Sequence, residues 1–198
     1  LYIVLQTMET LYQYLNTISP IRSETWHKVR LLFTETTLKK GEYFIKEGHY
    51  ANRIGFLSTG VVRAFYRNVD GVEYNKHFFT PQNLLGGYSS LVTKTQNKIN
   101  LQALTDCELL TAQYQDLENL FDYHQDFERF GRKLAELFFA HKEQREVDIV
   151  MLDADKRYLI FQNQFPMLEQ LIPQYHIASY LGITPTQLSR IRRKFAKK

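Results

Sequence analysis

Gly182, followed by Thr184-Pro185, constrains this chain more tightly than any other feature. It sits inside IASYLGITPTQLSRIRRKF, residues 177–195. A glycine accepts the positive φ at which a first helix stops and turns. Thr184 is a good N-cap, and Pro185 then falls at the first helical position, where its missing N–H costs nothing. Two short helices joined this way cross steeply and need a small residue where they touch. Ala178 supplies it, flanked by Ile177, Leu181 and Ile183. Leu188, Ile191 and Phe195 recur at helical spacing and anchor the second helix. The pattern predicts a helix-turn-helix whose second helix covers 185–195.

With those anchors turned inward, the opposite face carries Thr186, Ser189, Arg190 and Arg193. These side chains suit base edges or phosphates, and an arginine fork matches guanine bidentately. Gln174, Thr184 and Lys194 are better placed for phosphate oxygens. After Glu169 no acidic residue follows, while Arg190, Arg192, Arg193, Lys194, Lys197 and Lys198 do, so residues 1–169 are net negative in a chain of net charge +4. An acidic body with a basic end is the asymmetry of a nucleic-acid binder. The alternative is a ligand-binding or protein-interaction module with a non-specific basic tail. Helical periodicity under the basic residues weighs against a merely solvated tail.

The rest of the chain changes texture twice. Residues 8–35 read as helical, with Leu11, Tyr14, Leu15 and Ile18 on one face, a break at Ser19-Pro20 and a new start at Ser23. From Leu38 to about Ala112 short β-rich runs alternate with turn residues: GEYFIKEG, RIGFLSTG, VVRAFYRNVDG, VEYNKHFFTP and KINLQALTDCELLTA. Asp70-Gly71 marks a hairpin. Strands spaced this way predict a small antiparallel barrel or sandwich. NLLGGYSSLV interrupts the rhythm and reads as a turn and short helix. From Tyr114 the period is helical again: YQDLENLFDYH, then a long helix from Asp126 to Met151, then a helix capped by Asp153 and ended by Pro166. On the long helix Phe127, Phe130, Leu134, Leu137 and Phe138 form a narrow stripe of coiled-coil type, which turns polar at His141, Gln144 and Asp148. The organisation expected is a β-roll with flanking helices at 8–125, a long helix at 126–152 and a helix-turn-helix unit at 153–198.

Composition closes off other classes. With 44% hydrophobic and 23% charged residues, 198 residues suffice for a packed core. One cysteine, Cys107, permits no internal disulfide and by itself no iron–sulfur cluster. No apolar run reaches the roughly 18 residues of a membrane span. The apolar start lacks a basic n-region and a small-residue cleavage site, so it reads as a poor signal peptide; Met8 is a candidate start. A cytoplasmic location is expected. The six histidines are isolated, without the paired spacing of a barrel metalloenzyme, and no GxSxG, P-loop or HExxH occurs. The expectation is no enzyme, no metal and no cofactor.

These motifs together resemble the Crp/Fnr superfamily of bacterial transcription regulators. The resemblance runs from about residue 10 to the end and is most specific in IASYLGITPTQLSRIRRKF. It implies an α+β fold: an N-terminal antiparallel β-roll (a cyclic-nucleotide-binding-like double-stranded β-helix), a long dimerisation helix and a C-terminal all-α helix-turn-helix domain. The family's usual C-terminal wing is expected to be mostly missing, because the sequence ends soon after the second helix. The implied function is a homodimer reading a palindromic site on double-stranded DNA, with recognition helices about 34 Å apart. Phe127, Phe130, Leu134, Leu137 and Phe138 would form the dimer seam. The implied partners are a small-molecule effector in the β-roll and, for an activator, RNA polymerase.

Members that bind cyclic AMP carry a Gly-Glu pair early in the phosphate-binding insertion and an Arg-Ser/Thr pair later. Here the first pair is Gly86-Gly87, and Asn97-Lys98 stands where the second is expected. A cyclic phosphate without a paired arginine is poorly stabilised. Cyclic AMP is therefore not the expected effector. Tyr88, Ser89, Ser90, Asn97 and Gln102 are the candidate pocket residues for another ligand.

Overall fold

The structure, a computed structural model, describes residues 2–196, with side chains from residue 6. Lys197 and Lys198 of the basic end lie outside it. The chain opens with helices α1 (Tyr2–Ile18) and α2 (Ser23–Arg30). Eight strands follow: β1 (Thr34–Leu38), β2 (Tyr43–Ile45), β3 (Arg53–Thr59), β4 (Val62–Arg67), β5 (Glu73–Phe79), β6 (Asn83–Leu85), β7 (Asn100–Ala103) and β8 (Cys107–Gln113). Helix α3 (Tyr88–Thr93) interrupts them between β6 and β7. Then come α4 (Tyr114–Asn119), α5 (Gln125–Met151), α6 (Ala154–Gln164), α7 (Leu168–Leu171), α8 (Gln174–Leu181) and α9 (Pro185–Phe195). The fold is the α+β one expected.

The strands form two antiparallel four-stranded sheets, ordered β1-β8-β3-β6 and β2-β7-β4-β5. The Asp70-Gly71 turn joins β4 to β5, with Gly71 at φ 80° and Asn68 Oδ1 accepting from the Asp70 and Val72 N–H groups. The space between the sheets is filled by Phe44, Leu57, Val62, Ala64, Leu85, Leu101 and Leu109.

Two strands depart from the sequence reading. Residues 34–38, expected to begin in helix, form β1, because Thr34, Thr36 and Thr37 are β-branched and pair along β8. The start of NLLGGYSSLV forms β6 against β3 before the short helix α3 begins.

Helix α5 is held to the N-terminal helices by Asp126. Its carboxylate accepts from the Arg22 backbone N–H (2.8 Å), the Arg22 guanidinium (3.3 Å) and the Thr25 hydroxyl (3.0 Å). Burial pushes this carboxyl up, but the three donors outweigh it and hold it at about 2, below the ordinary 3.8. The lowered folded value means its stabilisation is complete above about pH 4 and is lost as pH falls towards 2. Asp126→Asn is expected to cost ~2 kcal/mol at pH 7. Urea denaturation across a pH series should show that difference shrinking to nothing in strong acid.

Among the described residues no helix is long and apolar enough to cross a membrane, and no cluster of His, Cys, Asp or Glu is arranged to hold a metal ion.

Candidate nucleic-acid interface and its attachment to the β-roll

The turn between α8 and α9 has the geometry its residues require. Gly182 sits at φ 68°, ψ 35°, and the Ile183 N–H returns to the Ala178 carbonyl (3.0 Å). Thr184 caps α9 by accepting from the Gln187 N–H (3.2 Å), and Pro185 opens the helix. Leu188 and Ile191 are buried in one core with Ile177, Ala178, Tyr180 and Leu181, and Phe195 packs on its margin.

That leaves one face of α9 in solvent. Thr186, Ser189, Arg190 and Arg193 are all exposed on it, and Thr184 and Gln174 are exposed at the N-terminal ends of α9 and α8. Backbone N–H groups at such ends, with the helix dipole, favour phosphate. Lys194 is placed differently. Its ammonium is bonded to Asp155 on α6 at 2.5 Å, which raises its pKa and ties α9 to α6. Arg192 points back towards Glu169 (3.4 Å), beside the Tyr158 hydroxyl.

The helix-turn-helix does not hang free of the β-roll. Val61, Phe78 and Leu104 of the β-roll belong to the same core as α6, α8 and α9. Helix α8 lies along β5, the outer strand of its sheet, and satisfies that strand's open edge. The Ser179 hydroxyl accepts from the Asn75 N–H (3.0 Å) and donates to the Glu73 carbonyl (2.8 Å). Arg145, on α5, stacks on the Tyr180 ring 3.7 Å from its centroid and donates to the Tyr180 carbonyl.

At the centre of this contact is a polar hub that sequence reading missed. Arg63 on β4 is 6% exposed and lies over the Phe65 ring at 3.7 Å. Its Nε and Nη2 both donate to Gln102 Oε1 (3.0 and 2.7 Å), and its Nη1 reaches Glu73 Oε2 (2.6 Å) and His176 Nδ1 (3.2 Å). Asn75 Nδ2 also points at His176 Nδ1, at 3.3 Å. Two donors converging on Nδ1 make it the acceptor, so His176 is neutral with its proton on Nε2. Burial, with Arg63 close by, pushes the imidazole down to about 4. Burial pushes the Glu73 carboxyl up, but Arg67 and Arg63 outweigh it and hold it below its ordinary value.

Four of the five candidate pocket residues lie on or beside α3, and Gln102 lies apart on β7. Gln102 is committed to Arg63 and to the Gly41 carbonyl (3.0 Å). Ser90 is buried, its hydroxyl accepting from the Ala51 N–H and donating to the Thr95 carbonyl. Asn97 is buried and donates to the Ile99 carbonyl. Tyr88 and Ser89 are exposed on α3. The long-helix stripe divides as well. Phe127 and Phe130 are buried within the subunit and Leu134 is packed against the same core, whereas Leu137 and Phe138 are exposed by 45% and 42%.

Residues 35–124 match the family model of the cyclic nucleotide-binding domain. The fold is that of the Crp/Fnr transcription regulators. FixK2 from Bradyrhizobium japonicum superposes with a TM-score of 0.71 at 18% identity, over 83% of this chain and 85% of its own. The c-di-GMP responsive global regulator CLP of Xanthomonas campestris gives 0.66 at 16% identity, over 89% and 92%. A CooA mutant from Carboxydothermus hydrogenoformans gives 0.66 at 18%, over 84% and 78%. No curated protein matches the sequence.

Proposed function

We propose that this Crp/Fnr-fold protein is a dimeric, DNA-binding transcription regulator acting in the cytoplasm, which reads a palindromic site through α9. The observation that carries this is the exposed face of a correctly capped α9, with Arg190 and Arg193 beside Thr186 and Ser189 and, among the described residues, no carboxylate within ion-pair distance of either arginine. Double-stranded DNA is the partner whose charge and groove width fit such a helix. Fluorescence anisotropy with duplex DNA from upstream of its own gene should give tight, sequence-selective binding, with a salt slope of about −0.9 per phosphate neutralised. Equal, weak binding to scrambled DNA would defeat the proposal.

The dimer rests on the second half of the stripe. Leu137 and Phe138 leave apolar surface in water in the middle of α5, which is the mark of an unfilled interface. In the paired molecule they meet their counterparts across a twofold axis. Phe138→Asp is expected to convert the dimer to a monomer in sedimentation velocity and to weaken DNA binding at least tenfold. A monomeric wild type would overturn this seam.

The effector is proposed to be something other than cyclic AMP. Asn97 and Lys98 offer no arginine fork, and the interior between the sheets is filled by apolar side chains. The hub at Arg63 supports a route by which a change in the β-roll reaches α8.

A further inference from the structure

A cleft on the β-roll opens beside the β2–β3 loop, whose backbone is hydrogen-bonded to Ser90 on α3 and to Asn97 after it. It has a volume of about 290 Å³ and is lined by Tyr43, Phe44, Lys46, His49, Tyr50 and Arg53, at the mouth formed by β2, the β2–β3 loop and the start of β3. Its chemistry is one-sided. Lys46 Nζ lies 5.0 Å from the Tyr43 ring centroid, and the Arg53 guanidinium lies 5.1 Å from that of Phe44. Among the described residues neither cation has a carboxylate within ion-pair distance. Lys46, His49 and Arg53 line the cleft and no carboxylate does. Glu47, the nearest acid in sequence, is turned to Asn100, whose side chain meets both its N–H (3.0 Å) and its carboxylate (3.5 Å). His49 Nδ1 faces the Glu47 carbonyl (3.2 Å), which leaves Nε2 for the cleft.

We propose that this cleft binds a small organic anion, an aromatic or heteroaromatic ring bearing phosphate or carboxylate. Arg53 and Lys46 meet the anionic group, the arginine through its planar fork. Tyr43 and Tyr50 give the ring a flat wall. A cleft of this volume is at the small end of ligand pockets and suits a compact ligand rather than a dinucleotide.

The position of Tyr43 gives such a ligand a connection to the DNA-binding unit, a consequence that rests on the regulator reading above. Tyr43 stands opposite Gln102 in the β2–β7 register, and its ring lies 6.5 Å from that of Phe65. Gln102 and Phe65 hold Arg63 together with Glu73, and Arg63 reaches His176 of α8. A ligand that moves Tyr43 therefore acts on the hub that docks the helix-turn-helix.

Phenyl phosphate is the probe, titrated into the full-length protein without DNA and followed by calorimetry and by amide ¹H–¹⁵N shifts. Saturable binding is expected, with shifts centred on residues 43–53 and affinity at least tenfold weaker in Arg53→Gln. Phenol, which lacks the anion, should bind at least tenfold more weakly. Lys133→Gln, remote on α5, should change nothing. Binding no tighter than phenol, or unaltered in Arg53→Gln, overturns the site. Because this readout needs no DNA, its failure is separate from failure of the regulator reading. With the site established, phenyl phosphate should change the affinity for the upstream duplex in the wild type and not in Arg63→Met; an equal response in both overturns the route through Arg63.

Discussion

Arg63→Met loosens α8 from the β-roll and costs the folded protein about 2–4 kcal/mol. Methionine keeps an apolar stem over Phe65 but removes every donor that Arg63 brings to the hub. Gln102 Oε1 loses both its Arg63 partners, and His176 Nδ1 keeps only the Asn75 amide. Glu73 retains Arg67 at 2.6 Å, which is why the cost falls towards the lower end for a broken buried pair. Lysine is no rescue, because a point charge cannot span Gln102, Glu73 and His176 as a fork does. Urea denaturation measures the total. Hydrogen exchange locates it: amides of 174–181 should exchange faster, together with that of Asn75, which rests on Ser179, while β8 in the middle of the other sheet stays protected. Unchanged exchange along α8 would show that the apolar contacts of Val61 and Phe78 hold the helix without the hub.

Acid should act on the same contact from the other side. His176 is held at about 4 in the docked state and returns to about 6.5 once α8 is free. The undocked state then binds more protons between those values, so docking is at full strength above about pH 6.5 and weakens as pH falls towards 4. The Arg63 effect and the acid effect converge on one helix, and exchange at α8 reads both.

The two halves of the molecule differ in how far the sequence announces them, and the reason is range. The helix-turn-helix is local. Ala178, Gly182, Thr184 and Pro185 lie within eight positions, and each acts on a bond or angle no more than one helical turn away. Asp153 capping α6 and the Asp70-Gly71 turn are of the same kind. The hub is the opposite case. Arg63 and His176 are 113 residues apart, and nothing near either one marks the other. In VVRAFYR, Val62 and Ala64 face the space between the sheets, so Val61, Arg63 and Phe65 take the outer face. An outer face reads as solvent until α8 is known to cover it. Strands β1 and β6 were hidden for the same reason, since their pairing with β8 and β3 is set by partners far along the chain. The candidate pocket residues are of the same kind: Ser90, Asn97 and Gln102 have backbone and side-chain partners that only the fold reveals.

The same distinction sets the expected result on α9. Arg190→Ala should weaken binding to the specific duplex by roughly 10- to 100-fold, the ~1–3 kcal/mol of a lost base contact, and should relax selectivity at one position of each half-site. If Arg190 instead meets a phosphate, the loss is uniform across sequences and the salt slope falls by about one. Lys194→Ala should behave otherwise, although charge alone would make the two residues equivalent. Its ammonium is already engaged with Asp155 across the α6–α9 junction, so only a few-fold change in affinity is expected, accompanied by a small loss of stability. Anisotropy on the specific and scrambled duplexes, each over a salt series, separates these cases. A Lys194 effect as large as that of Arg190 would mean that DNA draws Lys194 off Asp155. The ion pair would then be a competitor for phosphate, and Asp155→Asn should tighten binding by freeing the lysine.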